Sequence, residues 1–214
     1  MGEKFDANYS MYDNYFGNFP EDILVKYAYK IPAGSHVLDI GAGQGRHSVY
    51  LAEEGCFVDA VDSSETAIEI LKKFRHGKIN YIQTDILRFQ SPPNHYSAIL
   101  LFGIIQILTR KEINDLVDSV KLWIKNGGLI FVTAFGKDDD NYQNCKKSWK
   151  EIGNNSFESD DNRVRTFLKK NEILSLFTGF EIIHHYEGLG KKHRHGDGPI
   201  EQHSMIELVA RKPE

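Results

Sequence analysis

The chain has little cysteine. Cys56 and Cys145 are the only two in 214 residues, which excludes a disulfide scaffold or a zinc finger and suits two free thiols in a reducing compartment. It has no basic excess. Lys+Arg 26 against Asp+Glu 30 leave a formal net charge of −4, whereas proteins that live on a phosphate backbone usually carry surplus positive charge. Nucleic acid is therefore not expected as a partner. No apolar run reaches the ~18 residues a spanning helix needs, so no membrane partner is expected either. Residues 1–10 are polar and hold no apolar segment of the signal-peptide kind. Met1-Gly2 opens like a myristoylation motif, but that motif wants Ser or Thr at position 6, where Asp6 stands. Internal repeats and low-complexity stretches are absent. The expected setting is the cytoplasm.

What is present is ordinary for a folded domain: 41% hydrophobic and 26% charged residues. The length fits the usual ~100–200 residues of one domain, large enough to bury ~70% of the unfolded chain's surface. The expected organisation is one domain over residues 1–214. It comprises an N-terminal aromatic arm and helix (1–34), a core (35–135) and a C-terminal part (136–214).

Hydrophobic periodicity gives the order of elements. Phe5, Tyr9, Tyr12, Tyr15, Phe16 and Phe19 lie among Asp and Asn without helical spacing. They read as an irregular arm that buries its rings on the core or covers a site. Pro20-Glu21-Asp22 starts a helix that runs to Tyr29. Short apolar strands are expected at His36–Ile40, Cys56–Val61, Ile79–Gln83, Tyr96–Phe102 and Leu129–Phe135. Helices are expected at Arg46–Glu54, Thr66–Phe74 and Lys111–Lys125. Strand and helix then alternate throughout, which implies a parallel sheet covered on both faces. Residues 136–165 turn polar and read as a long irregular excursion. A helix over Leu168–Phe177 and strands at Phe180–Tyr186 and Met205–Arg211 complete the chain, around a glycine-rich loop from Gly188 to Gly198.

The sharpest motif is Val37-Leu38-Asp39-Ile40-Gly41-Ala42-Gly43-Gln44-Gly45-Arg46. It runs strand, glycine turn, helix. Glycine there permits a tight turn and the close approach of a ligand to the backbone. Asp62 closes the next strand, where a carboxylate can accept both ribose hydroxyls of a nucleoside cofactor. A dinucleotide site would want a third small residue where Arg46 stands.

This pattern resembles the S-adenosylmethionine-dependent methyltransferases of class I, the Rossmann-like type. The resemblance implies an α/β three-layer sandwich around a mostly parallel seven-stranded sheet whose last strand is antiparallel. It implies S-adenosyl-L-methionine as cofactor, bound by Asp39, Gly41, Ala42, Gly43, Asp62 and Ser63. Thr84-Asp85-Ile86 matches the family's adenine segment, so Asp85 and Ile86 are implied there. Phe102-Gly103-Ile104-Ile105-Gln106 matches the segment lining the methionine end, with Phe102 and Gly103 implied as contacts. Tyr96-Ser97 departs from the aromatic–Asp pair with which many relatives start that strand. The tail from Pro199 to Arg211 resembles tellurite-resistance-type and other small-molecule methyltransferases.

The implied activity is methyl transfer to a small acceptor: a thiol, amine, hydroxyl or oxyanion such as tellurite. Such transfer depends chiefly on aligning the nucleophile, so no catalytic residue is named. Ser91-Pro92-Pro93-Asn94 has the prolines of the nucleobase amino-methyltransferase motif but precedes its strand, and reads as a turn. Tyr15, in the arm, and His203, entering the last strand, are the expected substrate contacts. His193-Arg194-His195 beside Lys191 and Lys192 could hold an oxyanion or a metal. No carboxylate or cysteine completes a ligand set at a clear spacing, so the segment reads as an exposed polar loop and no metal is expected. Arg46 reads as a structural or surface cation. Two alternatives stay open: a module that binds the cofactor or its demethylated product without catalysis, and a dinucleotide-dependent oxidoreductase.

Overall fold

The structure, a computed structural model, describes residues 3–12, 14–194, 196–198 and 200–214. The Met1-Gly2 start, His195 and Pro199 lie outside the described residues.

The chain opens with α1 (Glu3–Met11) and α2 (Asp22–Tyr27). Alternation begins with β1 (His36–Ile40), α3 (Arg46–Glu53), β2 (Phe57–Asp62), α4 (Glu65–Lys72) and β3 (Ile79–Gln83). It continues through β4 (Tyr96–Leu101), α5 (Arg110–Trp123) and β5 (Ile124–Phe135). Then come α6 (Asp140–Ser148) and three short strands, β6 (Lys150–Gly153), β7 (Ser156–Glu158) and β8 (Val164–Thr166). The last elements are α7 (Glu172–Leu176), β9 (Glu181–Leu189) and β10 (Ser204–Arg211).

Seven strands form one sheet in the order β3-β2-β1-β4-β5-β10-β9. The first five are parallel, and β10 runs antiparallel to both β5 and β9. This is the expected Rossmann-like sheet with its antiparallel last strand. The strand order reverses between β1 and β4, and such a switch point opens a crevice at the carboxyl ends of the strands. β1 and β4 are buried almost throughout because helices cover both faces. One apolar cluster lies on each side of the sheet. Leu38 and Ile40 point to one, with Trp123 and Ile206; Val37 points to the other, with Leu51 and Leu100. That split is the period-two alternation of a strand.

The helices start where their caps allow. Ser64 accepts the Ala67 N–H at the head of α4, and Thr109 with Glu112 forms a capping box on α5. α3 starts on Gly45, which is left-handed (φ 94°). A Cβ there would stand 2.0 Å from a Leu71 methyl, so glycine serves both the turn and the packing of α3 near α4.

Five expectations need correction. The aromatic arm is not irregular at its start: α1 is helical, packed on α4, and tertiary packing supplies the order that its weak periodicity does not. No helix joins β3 to β4, so the alternation breaks there. Asp85 instead holds a turn, accepting the Leu87 N–H on its carboxylate and the Arg88 and Phe89 N–H groups on its carbonyl. β5 begins at Ile124 rather than Leu129. It runs through Asn126-Gly127-Gly128 because a register shift against β4 and the left-handed Gly127 absorb the extra residues. Residues 136–165 are not irregular. They hold α6 and, with β8, a three-stranded antiparallel sheet that buries Tyr142, Cys145, Phe157 and Phe167 as a separate small core. The helix expected over Leu168–Phe177 shrinks to Glu172–Leu176, because Leu168 pairs with Gly136 instead.

Arg110 ties this small sheet to the body. Its guanidinium donates to the Asn154 and Phe167 carbonyls, at 2.6 Å each, and pairs with Glu172 at 2.5 Å.

Asp39 braces the central strand. It is almost fully buried in β1 and accepts the Ser48 hydroxyl of α3 at 2.6 Å. Burial pushes its carboxyl up to about 6, with the Ser48 hydrogen bond pulling back. A carboxyl raised on folding favours the fold fully below its unfolded value of ~3.9, and that contribution is lost as pH rises through the folded value. Asp39→Asn keeps the shape and an acceptor for Ser48. It should match the wild type near pH ~4 and exceed it at pH ~7 by on the order of 3 kcal/mol. Urea unfolding at the two pH values checks this, and a difference independent of pH would refute it.

Candidate active site

The carboxyl ends of β1 to β5 share one edge of the sheet. After β1 the chain turns through Gly41, Ala42 and Gly43. The Gly41 and Ala42 N–H groups both donate to the Val61 carbonyl, at 2.8 and 3.0 Å. Gly43, left-handed at φ 54°, donates its N–H to one oxygen of Asp62 at 2.8 Å. Ser64 N–H donates to the other oxygen, also at 2.8 Å. A carboxylate offers about four acceptor sites, so even with the Ser63 N–H also acting on it, Asp62 keeps acceptor capacity for a ligand hydroxyl. Burial pushes the Asp62 carboxyl up against these donors, and the nearby Asp6 carboxylate adds to the rise.

The remaining residues implied for the cofactor fall along the same edge. Ser63 follows Asp62 and is half-buried. Thr84 N–H donates to the Asp62 carbonyl, which sets Asp85 and Ile86 beside the end of β2. Phe102 packs on the His47 ring, with centroids 4.6 Å apart. Gly103, left-handed at φ 72°, donates its N–H to the Thr133 hydroxyl. Asp39 sits below the turn, spent on Ser48 rather than aimed out of the edge.

Two buried polar atoms have no partner among the described residues at this edge: the Gln106 side-chain carbonyl and His47 Nε2. Gln106 lies against Gly103, its amide nitrogen 3.5 Å from where a Cβ would stand. An orphaned acceptor there suits a donor such as the cofactor's ammonium group. The glycine turn, the acceptor capacity left on Asp62 and this orphan are what an S-adenosylmethionine site would need. Gln106 belongs to the segment the sequence pointed to, yet its chemistry shows only once its burial is known.

The arm lies over this edge. Tyr9 is 6% exposed, and its hydroxyl stands 3.2 Å from the position a Cβ on Gly43 would take. Burial, with Asp62 and Asp6 nearby, pushes its phenol far up. Asp6 accepts the Ser64 hydroxyl. Gln44, inside the glycine turn, donates to the Tyr12 carbonyl at 2.6 Å and accepts the Tyr15 N–H at 2.8 Å. Arg46 donates to the Phe16 and Phe19 carbonyls and pairs with Glu21 at 2.6 Å. Arg46 is structural, as expected, and the structure it serves is the arm. Gln44 was missed, because the two residues it clamps lie some thirty positions upstream with no spacing signal.

The arm also reaches the histidine loop. Gly196 N–H donates to the Tyr15 carbonyl, and Tyr12 donates to Asp197. Burial pushes the Tyr15 phenol up, helped by the neighbouring Glu201 carboxylate. Tyr15 thus links the glycine turn to the surroundings of His203. His203 itself is 7% exposed and stacks on Phe135 at the end of β5. Its Nδ1 lies 3.0 Å from Asp139, whose carboxylate also accepts the Asn141 and Ser204 N–H groups. The Asp139 hydrogen bond raises the imidazole above its ordinary value. Burial works to raise Asp139, but the His203 and N–H bonds hold it below the usual carboxylate range. Arg165 lies within electrostatic reach of Asp139 and Glu201, with its guanidinium lowered by burial. The loop is therefore not a bare polar surface. Glu201, which no spacing suggested as a partner, stands 3.4 Å from His203 Nε2, and His193 packs on the same ring.

Residues 37–128 match the methyltransferase domain family model. Over 169 residues the chain is 25% identical to the probable S-adenosyl-L-methionine-dependent methyltransferase TehB of Haemophilus influenzae, covering 78% of this chain and 53% of that protein. The crystal structure of Haemophilus influenzae TehB superposes with a TM-score of 0.68 at 23% identity, over 90% of this chain and 62% of that one. The 1,6-didemethyltoxoflavin-N1-methyltransferase of Burkholderia thailandensis superposes with a TM-score of 0.63 at 15% identity, over 100% of this chain and 91% of that one. That structure holds 1,6-didemethyltoxoflavin and S-adenosylhomocysteine. The chain spans about half the length of the curated TehB it matches. Among the described residues no helix is long and apolar enough to cross a membrane. Residues 37–128 thus match a methyltransferase domain, and the chain as a whole has the Rossmann-like fold of the solved methyltransferases it superposes on.

Proposed function

We propose that the protein transfers a methyl group from S-adenosylmethionine to a small-molecule acceptor. The observation that carries this reading is the edge itself. Gly43 and Asp62 are hydrogen-bonded into a nucleoside-type cradle, and the arm closes over it toward His203.

When bound, the cofactor supplies an electrophilic sulfonium methyl. The chain's own part is to hold, orient and exclude water. Asp62 accepts a ribose hydroxyl through the acceptor capacity that Gly43, Ser63 and Ser64 leave. Asp85 and Ile86 sit where the adenine end would lie, and Phe102, Gly103 and Gln106 where the methionine end would lie. Tyr9, Tyr15 and Phe16 cover the edge, and their aromatic faces suit a sulfonium cation. Orientation of this kind can supply ~7–11 kcal/mol of the barrier.

Tyr15 and His203 face the acceptor side of the arm. Arg165 nearby favours an acceptor that carries negative charge, such as a thiolate or an oxyanion. A covered site suits a small acceptor better than a polymer. The relative that binds 1,6-didemethyltoxoflavin and the ubiquinone biosynthesis O-methyltransferase of Coxiella burnetii support small acceptors generally. Of the acceptors the sequence leaves open, thiols and oxyanions are to be tried before amines.

Two measurements test this reading. Calorimetry should show S-adenosylmethionine binding that Asp62→Ala weakens by about tenfold or more, since a charge-assisted hydrogen bond is lost. Absence of binding at millimolar cofactor overturns the proposal, and so does a panel of thiols, oxyanions, amines and hydroxyl compounds that yields no S-adenosylhomocysteine. Separately, Arg46→Ala should free the arm. Chymotrypsin should then cut within residues 5–19 about tenfold faster, as expected for losing ~1–2 kcal/mol of local hydrogen bonding. An unchanged rate would show that Arg46 does not hold the arm.

A further inference from the structure

We propose that His193, Glu201 and His203 form a binding site for one divalent metal ion of the zinc class, on the acceptor side of the arm. One ligand atom from each lies within 4.8 Å of the other two. Two ligand atoms ~2.05 Å from a tetrahedral centre stand ~3.3 Å apart. Glu201 Oε2 and His203 Nε2 already meet that spacing at 3.4 Å. His193 needs to close by no more than about 1.5 Å, on a loop with Gly190 before it and Gly196 after it.

The second observation is how the rings are held. A histidine that ligates a metal through one nitrogen typically donates the other N–H to a carboxylate or a backbone carbonyl. Both are found here. His203 Nδ1 lies 3.0 Å from the Asp139 carboxylate, and His193 Nδ1 lies 3.0 Å from the Lys191 carbonyl. Each bond fixes the tautomer whose lone pair is on Nε2. Asp139 is itself locked by the Asn141 and Ser204 N–H groups, and Phe135 stacks under the His203 ring.

The backbone also brings two of the ligands together without a metal. His193 N–H donates to the Glu201 carbonyl at 2.9 Å, and Glu201 N–H returns a bond to His193 at 2.8 Å. The glycine-rich segment between them is thereby closed at its base. The Glu201 carboxylate supplies an anionic ligand, and Asp139 behind His203 adds a second negative charge to the site. Two nitrogens and one oxygen suit zinc and its first-row neighbours better than magnesium or calcium. Three protein ligands leave a fourth tetrahedral position for water or a ligand heteroatom, the arrangement of catalytic rather than structural zinc.

The full chain, freed of metal by chelation, is to be titrated with Zn²⁺ by calorimetry and with Co²⁺ by visible absorption. The expected result is one metal per chain and a strong tetrahedral Co²⁺ band. His193→Ala and Glu201→Gln should each weaken binding by about tenfold or more, with circular dichroism unchanged. Asp139→Asn should weaken it by ~10–100-fold through the orientation of His203. If Asp139→Asn does not fold, the two loop variants decide alone. Two results overturn the proposal: no stoichiometric Zn²⁺ binding by the wild type, or binding that both loop variants retain in full. The readout needs neither cofactor nor acceptor. Its failure leaves the methyl-transfer reading standing, and failure of that reading leaves this one standing.

Discussion

The hydrogen bond from Gly43 N–H to the Asp62 carboxylate joins the turn after β1 to the end of β2, and the site is built around it. The turn must be left-handed at Gly41, Gly43 and Gly45 for the N–H to point that way. The same turn sets the start of α3, so Arg46 and Gln44 emerge where they can take hold of the arm. A side chain at Gly43 would meet Tyr9, and one at Gly45 would meet Leu71. The bond to Asp62, the helix start and the contact with the arm thus share one short run of backbone. A residue with a Cβ at these points would cost the left-handed penalty of ~1–2 kcal/mol each, and it would push away the lid or a neighbouring helix as well.

The arm and the histidine loop turn an open sheet edge into an enclosed place. The arm's rings pack on one another rather than into the main core. Phe5, Tyr9, Tyr15 and Phe16 form a small aromatic group over the glycine turn. Their hold on the body is polar, through Gln44, Arg46 and the Asp6–Ser64 bond. A lid held by hydrogen bonds at the surface opens at lower cost than one held by buried apolar area. That suits a covered site which must open to admit a ligand. On the other side, His203 and Asp139 connect the last strand to the polar excursion after β5. The small sheet β6-β7-β8 is fastened in turn by Arg110.

Much of the fold was legible because the signals are local. Val37 to Ile40 and Tyr96 to Leu101 are apolar runs of strand length, and they are strands. Ser64 and Thr109 are cap residues before apolar periodicity, and they cap helices. Legibility ended where tertiary packing decided. The helix α1 has weak periodicity and takes its order from α4 and the glycine turn. Residues 136–165 are polar in sequence because most of α6 and the start of β6 face solvent, and the buried positions of β7 and β8 include the hydroxyl residues Ser156 and Thr166. Only Tyr142, Phe157 and Phe167 betray a core there, and they are too far apart in the chain for a periodic signal. The turn through Asp85 replaced an expected helix because its carboxylate and carbonyl served local N–H groups first.

The sequence by itself determined the Rossmann-like sheet, the glycine turn, the acid that faces it and the family they resemble. All of these rest on neighbours within a few residues or on the alternation of strand and helix. Only the tertiary structure decided which side chains share the site's far end. Asp139 meets His203 across 64 positions and Gln44 meets Tyr12 across 32. The pairing of His193 with Glu201 depends on a loop closing at its base. Contacts of this kind follow from where the sheet delivers its strand ends, and no spacing in the chain encodes them.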